Sequence, residues 1–482
     1  MPPKTPRLLL LALLPASLLY VYGLGSIGML GPDEPRYAAI GRQMARSGDF
    51  ITPTLWGQPW FEKPPLLYWT SAAAFRLGLP PDWAPRLPVA LTALAFLAFF
   101  FWILRREFGP AAAVVSTLML ATTAGFWGFS QVGHMDLLLT CCFSAAMLLV
   151  LPWLSKGETR YLPYSAALLA FGVLAKALVP IVLAAPILLF ARRRWRDLVR
   201  PKPVIIFAVI ALPWYILCYL RNGAPFLMDL FYKQQFQRLT SGALQHVRPV
   251  WFYIPILLGL LAPWTPMLYL LLRRDGYRDP RRRFLLAIVL WGMLFFSVAP
   301  NKLPGYVLPL LPAIAALAGA AFADRTANRA LLPACALLLV IFPVAVPLLP
   351  AAIASGLSHA PAAQFQALWL APLAIAAAVA LLQRRNAAAA VCVVSAGAAI
   401  GIFYLKLSAA PTIDAFATAR PLWRQIAASR DQVCVHDAVD ALDRGFRYGL
   451  NFYSGTPLPT CGADSKPLRI LHSPSGPPYV SR

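Results

Sequence analysis

Long apolar runs constrain this chain more than any other feature. The sequence has 482 residues, and 59% of them are hydrophobic. Many of its apolar runs exceed about 18 residues and carry few charges, which is the length that a helix needs to cross a bilayer. The apolar residues are continuous and do not alternate with polar ones, so they indicate helices and not a transmembrane β-barrel. The sequence therefore predicts an all-α polytopic membrane protein.

The basic residues indicate how these helices are oriented. The chain has 43 Lys and Arg against 19 Asp and Glu, a net charge of +24. In a soluble protein this excess would suggest nucleic acid, but here the basic residues form short clusters between apolar runs, as the positive-inside rule describes. Lys4 and Arg7 place the N-terminus in the cytoplasm. The alternation of basic loops predicts about 13 crossings, a periplasmic C-terminus and no nucleic-acid partner.

The apolar run at residues 161–191 has a basic loop at each end. Because both loops should be cytoplasmic, the run should cross the membrane an even number of times. Two short helices should then meet near Lys176, at an external turn. The alternative is one long tilted helix with a snorkelling lysine, which would put a highly basic loop outside.

Two external loops are predicted within a transmembrane domain at residues 1–407. The first, residues 31–81, should hold two short juxtamembrane helices, near 35–47 and 65–77, because arginines and tryptophans there suit helices that lie on a membrane surface. The second is residues 221–249. Both loops are expected in the periplasm.

The remaining segment, residues 408–482, is more polar and predicts a small periplasmic α/β domain. Cys434 and Cys461 fall in this domain, in a compartment where disulfides persist. We expect a bond between them. Spacing alone does not show that their Cβ atoms meet, so two free thiols remain the alternative.

Ionisable residues gather at the predicted outer boundary of the membrane. Such groups are costly there and usually mark function, although some must be structural, a role that we assign to Glu34 and Lys302. Nucleotides are not available outside the inner membrane and the sequence has no Gly-rich phosphate loop, so an anionic lipid-phosphate donor is the ligand that fits. Four basic side chains could bind its phosphate oxygens: Arg36, Lys63, Lys176 and Arg248.

Several motifs resemble a known family. An acidic pair after the first apolar run is followed by RYA, SGD and FEKPPLLYW, and later by GHMD, GVLAKAL, LQHVRPVWFY and FFSVAPNKLPGYVLP. This ordered set resembles the bacterial lipid-linked sugar transferases with the GT-C fold, which include aminoarabinose transferases and protein mannosyltransferases. The resemblance covers residues 8–320 and is much weaker in the tail.

The resemblance implies a role for each of several residues. Its essential acids correspond to Asp33 and Asp136. Its phosphate contacts correspond to Arg36, Tyr37, Lys63, Lys176 and Tyr306. Its metal ligands correspond to Glu62 and His246, which would hold zinc, manganese or magnesium between side chains within about 6 Å of each other. Asp33 would be the general base if the acceptor is a hydroxyl, and would orient the acceptor or Arg36 if the acceptor is a phosphate.

The function implied is that of an inverting, monomeric glycosyltransferase of the bacterial inner membrane, with its active site facing the periplasm. It would move a sugar, with 4-amino-4-deoxy-L-arabinose as one candidate, from polyprenyl phosphate to lipid A or a similar envelope glycolipid. A protein O-glycosyl(mannosyl)transferase with the same donor is the first alternative. The second is a transporter or flippase, but such proteins place polar residues near mid-bilayer in repeated halves.

Overall fold

The computed structural model describes residues 17–237, 247–324, 330–355, 364–429, 444–459, 469–471, 477 and 479–481. These ranges are mostly helical, as predicted for a polytopic α-helical protein. Within them, six helices are long and apolar enough to cross a membrane: Leu87–Phe108, Met135–Lys156, Pro201–Asn222, Pro304–Ala323, Leu331–Ile353 and Ala387–Ala417. One bent pair of helices brings the number to seven. The total of about 13 crossings stays a prediction.

One apolar run that is long enough for a single crossing is broken in the structure. The run at 250–272 becomes two helices, Val250–Leu260 and Thr265–Leu272, which are bent by 114°. Pro263 lies in this break, and proline removes a backbone N–H donor and clashes with the preceding turn. The run at 250–272 therefore does not form one straight helix.

The run at residues 161–191 divides as predicted. The helix Leu162–Lys176 ends at Ala177, which has a φ of 47°. Two short helices follow, Val179–Leu183 and Pro186–Ala191. This turn agrees with the predicted pair of helices and not with one long tilted helix, and it places Lys176 at the turn.

The segment predicted as the first external loop forms the two predicted short helices, Asp33–Ser47 and Leu66–Arg76. They pack closely, since a Cβ added to Gly41 would lie only 2.7 Å from the Cβ of Ser71. Between them, the strands Thr54–Leu55 and Gln58–Pro59 form an antiparallel hairpin. This loop is thus a folded unit that supports the residues discussed below.

Small residues allow close helix packing in the apolar core. The helix Pro110–Ala121 packs against Leu311–Ala323, where a Cβ on Gly319 would lie 2.0 Å from the Ser116 hydroxyl oxygen. Small residues at such contacts let helix backbones approach, which is how helices associate in lipid. The other helical segments are Ala124–Phe129, Thr159–Tyr161, Arg192–Arg194, Trp195–Leu198, Ala224–Leu227, Met228–Gln237, Arg274–Arg278, Pro280–Val298, Ala367–Leu370 and Ala371–Leu382.

The C-terminal segment packs against the first loop. The long helix Ala387–Ala417 runs past the predicted domain boundary, and the helices Arg420–Ser429 and Arg444–Ser454 follow it. The strands Arg469–Leu471 and Tyr479–Ser481 pair in antiparallel fashion. Cys434 and Cys461 lie outside the described residues, so the disulfide and the complete α/β domain stay predictions.

Candidate active site

The helix Asp33–Ser47 presents an acid and a base on one face. Residues three apart on a helix are neighbours, and the Nη2 of Arg36 donates to a carboxylate oxygen of Asp33. The Nε of Arg36 donates to the carbonyl of Pro32 at 3.0 Å. The Asp33 side chain is 30% exposed and that of Arg36 only 7%. The aspartate therefore remains accessible while its arginine partner is held in place.

Glu62 connects this helix to the end of the hairpin. Its Oε2 accepts hydrogen bonds from Arg36 Nη1 at 3.0 Å and from the indole nitrogen of Trp60 at 3.3 Å. Its Oε1 lies 3.5 Å from Lys63 Nζ. Burial alone would lower the pKa of Arg36, but Glu62 and Asp33 outweigh it and raise the pKa. Arg36 is thus a fixed, fully charged cation.

A second ion pair comes from two apolar helices. Asp136 lies in the first turn of Met135–Leu148, and its carboxylate accepts a hydrogen bond from Lys176 Nζ at the end of Leu162–Lys176. The ammonium also lies 4.3 Å from the centre of the Tyr306 ring. A Cβ on Gly305 would lie 3.0 Å from Asp136 Oδ2. Glycine therefore lets the 305–306 backbone approach this pair.

Both ion pairs open into one polar cavity of about 30 Å³. It is lined by Asp33, Tyr37, Glu62, Lys63, His134, Met135, Asp136, Lys176, Leu303 and Tyr306. The structure thus brings together seven of the ten site residues that the sequence predicts, and Arg36 joins them through its bonds to Asp33 and Glu62. Carboxylates and ammonium groups converge here on a space into which a ligand could bring an anion.

Two predicted residues do not complete this arrangement. Arg248 is exposed and is not among the residues that line the cavity, although its carbonyl accepts a hydrogen bond from Lys302 Nζ at 3.0 Å. His246 lies outside the described residues, so its predicted approach to Glu62 stays a prediction. Lys302 also donates to the carbonyl of Ala299 at 2.5 Å. It fixes the turn before Pro304 by hydrogen bonds to the backbone.

An apolar cavity of about 250 Å³ adjoins the polar one. The two share Lys63, Lys176 and Tyr306. The rest of its lining is mainly aliphatic and aromatic, including Phe231 and Phe296. The two lysines therefore lie where a charged compartment meets a hydrophobic one, which suits a ligand with an anionic head and an apolar tail.

Sequence reasoning missed two aromatic residues at this site. His134 lines the polar cavity, and its ring lies edge-on to Tyr37 at 6.0 Å. Its position in GHMD, two residues before Asp136, was the available signal. Tyr448 comes from the C-terminal helix, and its ring centre lies 5.2 Å from the guanidinium carbon of Arg36. Nothing in the sequence links these two distant positions.

Comparison with known proteins adds evidence on the family. Residues 62–219 match the family described as dolichyl-phosphate-mannose-protein mannosyltransferase. The chain is 32% identical over 304 residues to the undecaprenyl phosphate-alpha-4-amino-4-deoxy-L-arabinose arabinosyl transferase of Edwardsiella ictaluri, a match that covers 59% of this chain and 54% of the relative. The enzyme of the same name from Pseudomonas aeruginosa is 30% identical over 336 residues, covering 67% and 60%. The chain thus matches little more than half the length of these relatives.

Solved structures extend the similarity to nearly the whole chain. ArnT from Cupriavidus metallidurans, bound to undecaprenyl phosphate, has a TM-score of 0.76 and 25% identity, and covers 96% of this chain and 87% of its own. The arabinosyltransferase EmbB from Mycobacterium smegmatis has a TM-score of 0.50 and 16% identity, and covers 95% and 45%. The second match supports the fold alone.

Proposed function

Because the chain resembles the bacterial lipid-linked sugar transferases in sequence and in fold, as its motifs predict, we propose that it is an integral-membrane glycosyltransferase. Its donor would be a sugar on undecaprenyl phosphate, with 4-amino-4-deoxy-L-arabinose as first candidate. Its acceptor would be lipid A or a similar envelope glycolipid. The curated relatives carry this activity in their names, and the most informative solved structure holds undecaprenyl phosphate.

The observation that carries the proposal is the junction of the two cavities. Lys63, Lys176 and Tyr306 line both the polar cavity and the apolar one. A polyprenyl phosphate needs this combination, because its phosphate requires cations and its tail requires hydrophobic surface. The tail would occupy the apolar cavity, and the phosphate would lie at the lysines. We also propose that the phosphate is contacted by Arg36, Tyr37 and Arg248.

The charges suggest how transfer is catalysed. As the bond between the sugar and the phosphate breaks, negative charge builds on the leaving phosphate, and cations that are already in place stabilise it. Asp136 would orient Lys176 through their ion pair. Asp33, the more exposed acid, would act on the acceptor side. It would take the proton of an acceptor hydroxyl, or orient an acceptor phosphate that is already ionised.

A metal ion held by Glu62 and His246 stays a prediction, because His246 lies outside the described residues. Both oxygens of Glu62 already interact with cations, Arg36 and Lys63. Among the described residues there is no group of three or more His, Cys, Asp or Glu side chains that could hold a metal. Glu62 also fits the role of an acid that positions these two basic residues.

The location of the site follows from the predicted topology. We propose that the cavity faces the periplasm of a bacterial inner membrane, with about 13 crossings and an α/β tail on the same side. A monomer remains the expected state. A lipid-linked donor presented at the outer face would then need no nucleotide.

A protein acceptor is the second candidate. It is favoured by the match of residues 62–219 to protein mannosyltransferases. The donor site would be the same, because the cavities constrain the donor and not the acceptor. The two candidates therefore differ only in the molecule that receives the sugar.

Mass spectrometry of lipid A tests the proposal. The gene would be expressed in bacteria that make the lipid-linked aminoarabinose donor but lack its transferase. We expect lipid A to gain the mass of aminoarabinose with the wild-type chain and not with Lys176→Met. Unchanged lipid A together with glycosylated envelope proteins would support the second candidate. Unchanged lipid A and unchanged proteins, with the chain present in the membrane, would contradict both.

A further inference from the structure

The helix Arg444–Ser454 brings an aromatic ring to the arginine of the candidate site. The guanidinium carbon of Arg36 lies 5.2 Å from the ring centre of Tyr448 and 5.6 Å from that of Trp60. An aromatic face attracts a guanidinium within about 6 Å. The hydrogen bonds of Arg36 lie in the plane of its guanidinium and fix it there, whereas a ring over the group limits its tilt.

A second observation shows that Tyr448 is itself held in place. Trp56 stacks on it, with ring centres 5.5 Å apart and planes at 25°. Trp56 occupies the hairpin turn at a φ of 50°, in the left-handed region that bulky residues rarely adopt. Such a backbone conformation has a cost and often marks a functional constraint. The turn thus carries a large ring where a glycine or asparagine would fit more easily.

The C-terminal helix does not depend on Tyr448 for its attachment. Arg42 Nη2 donates to the carbonyl of Phe452 at 2.7 Å, and the Arg42 guanidinium lies 4.4 Å from the Phe452 ring centre. Phe452 is fully buried. The helix therefore remains docked on Asp33–Ser47 by contacts one turn away, and the Tyr448 ring can be altered without detaching it.

We infer that Tyr448, supported by Trp56, is a positioning residue that orients Arg36 toward the donor phosphate. The inference rests on the proposed function, because it takes the ligand of Arg36 to be that phosphate. It gives the C-terminal segment a part in donor binding. Donor affinity then depends on a helix that lies beyond residues 8–320, the part of the chain that carries the motifs.

Binding of undecaprenyl phosphate to the purified full-length protein tests the inference. Tyr448→Leu keeps an apolar side chain but removes the aromatic face, and should weaken binding about five-fold. Tyr448→Phe keeps the ring and should bind like the wild type. If Tyr448 acts through Arg36, then Tyr448→Leu should cause no further loss in an Arg36→Gln background. Tyr448→Met replaces Tyr448→Leu if the latter does not fold.

A matched control separates positioning from packing. Phe452→Leu removes the other aromatic ring that contacts an arginine between the same two helices, but it keeps the backbone carbonyl that accepts a hydrogen bond from Arg42. The helix should therefore stay docked, and lipid binding should be unchanged. Melting temperatures of all variants should be measured alongside. The inference would be overturned if Tyr448→Leu bound the lipid like the wild type. It would also be overturned if Tyr448→Leu lost as much binding in the Arg36→Gln background as in the wild type, or if Phe452→Leu lost as much binding as Tyr448→Leu. No binding of undecaprenyl phosphate by the wild type would instead contradict the proposed function, and the inference with it.

Discussion

Asp33 and Glu34 are adjacent in the sequence, but their carboxylates belong to two different charge networks. Asp33 is 30% exposed, pairs with Arg36 and lines the polar cavity. Glu34 is fully buried and accepts two hydrogen bonds from Arg86, at 2.7 Å each, and one each from the N–H groups of Leu30 and Gly133. Glu34 is thus satisfied within the protein, as predicted for a structural acid.

The arginine partners of these two acids, Arg86 and Arg36, also differ in how completely they are hydrogen-bonded. Arg86 has no exposed surface, and its five N–H groups donate to Glu34 and to the carbonyls of Leu24, Ile27 and Gly28. Arg36 makes three such bonds in the described part of the chain, so it keeps donors for a ligand oxygen. The comparison teaches that burial and complete hydrogen bonding, and not residue type, distinguish a structural ion pair from one that can bind a ligand.

The largest effect should come from breaking the structural pair. Arg86→Leu leaves the Glu34 carboxylate buried without its partner, and should lower the free energy of unfolding by about 3–5 kcal/mol. Folded protein after detergent extraction, measured by size-exclusion chromatography, is the readout. Arg105→Leu, an exposed position at the other end of the same helix, is the control. Equal yields of both variants would show that the Arg86–Glu34 pair is not structural.

A change at Asp33, the acid of the cavity, should lower activity and leave stability nearly unchanged. Asp33→Asn should reduce sugar transfer about 100-fold, because positioned acid–base groups contribute at least that much, if the acceptor is a hydroxyl. A smaller loss is expected with a phosphate acceptor. The melting temperature should stay near that of the wild type, since Asp33 is partly exposed. A large drop in melting temperature with normal turnover per folded molecule would reverse the roles assigned to the two acids.

The smallest effect is a pH dependence of stability. Burial would raise the pKa of Glu34, but Arg86 and the N–H groups of Gly133 and Leu30 outweigh it and lower the pKa. Glu34 therefore stabilises the fold above its unfolded pKa of about 4.3, and this contribution is lost as pH falls through the lower folded value. The melting-temperature gap between wild type and Glu34→Gln should shrink on acidification. A gap that is constant with pH would contradict the ionised state.

Local features of the site could be predicted from the sequence, whereas contacts between distant segments could not. The i, i+3 spacing of Asp33 and Arg36 predicts their pairing because helix geometry fixes it. The charge rule placed Asp136 and Lys176 at the same membrane boundary, but it carries no information on their direct ion pair. Tyr448 was missed because its contact with Arg36 depends on how the tail docks.

The same limit applies to the fold. Apolar runs predicted a polytopic all-α protein, since length and hydropathy suffice for that. They did not reveal the bend between Val250–Leu260 and Thr265–Leu272, because hydropathy averages over prolines that interrupt the backbone hydrogen bonds. The role of Arg86 was also missed, since an arginine at the start of a span resembles an ordinary interfacial charge.

A structure of the full-length protein with undecaprenyl phosphate tests the central claim most directly. That claim is that the junction of the polar and apolar cavities binds the lipid-linked donor. We predict phosphate oxygens within about 3 Å of the Lys63 and Lys176 ammonium groups, with the first isoprene units between Phe231 and Phe296. The Glu34–Arg86 pair should be unchanged. A phosphate bound away from both lysines, or a lipid tail outside the apolar cavity, would contradict the account.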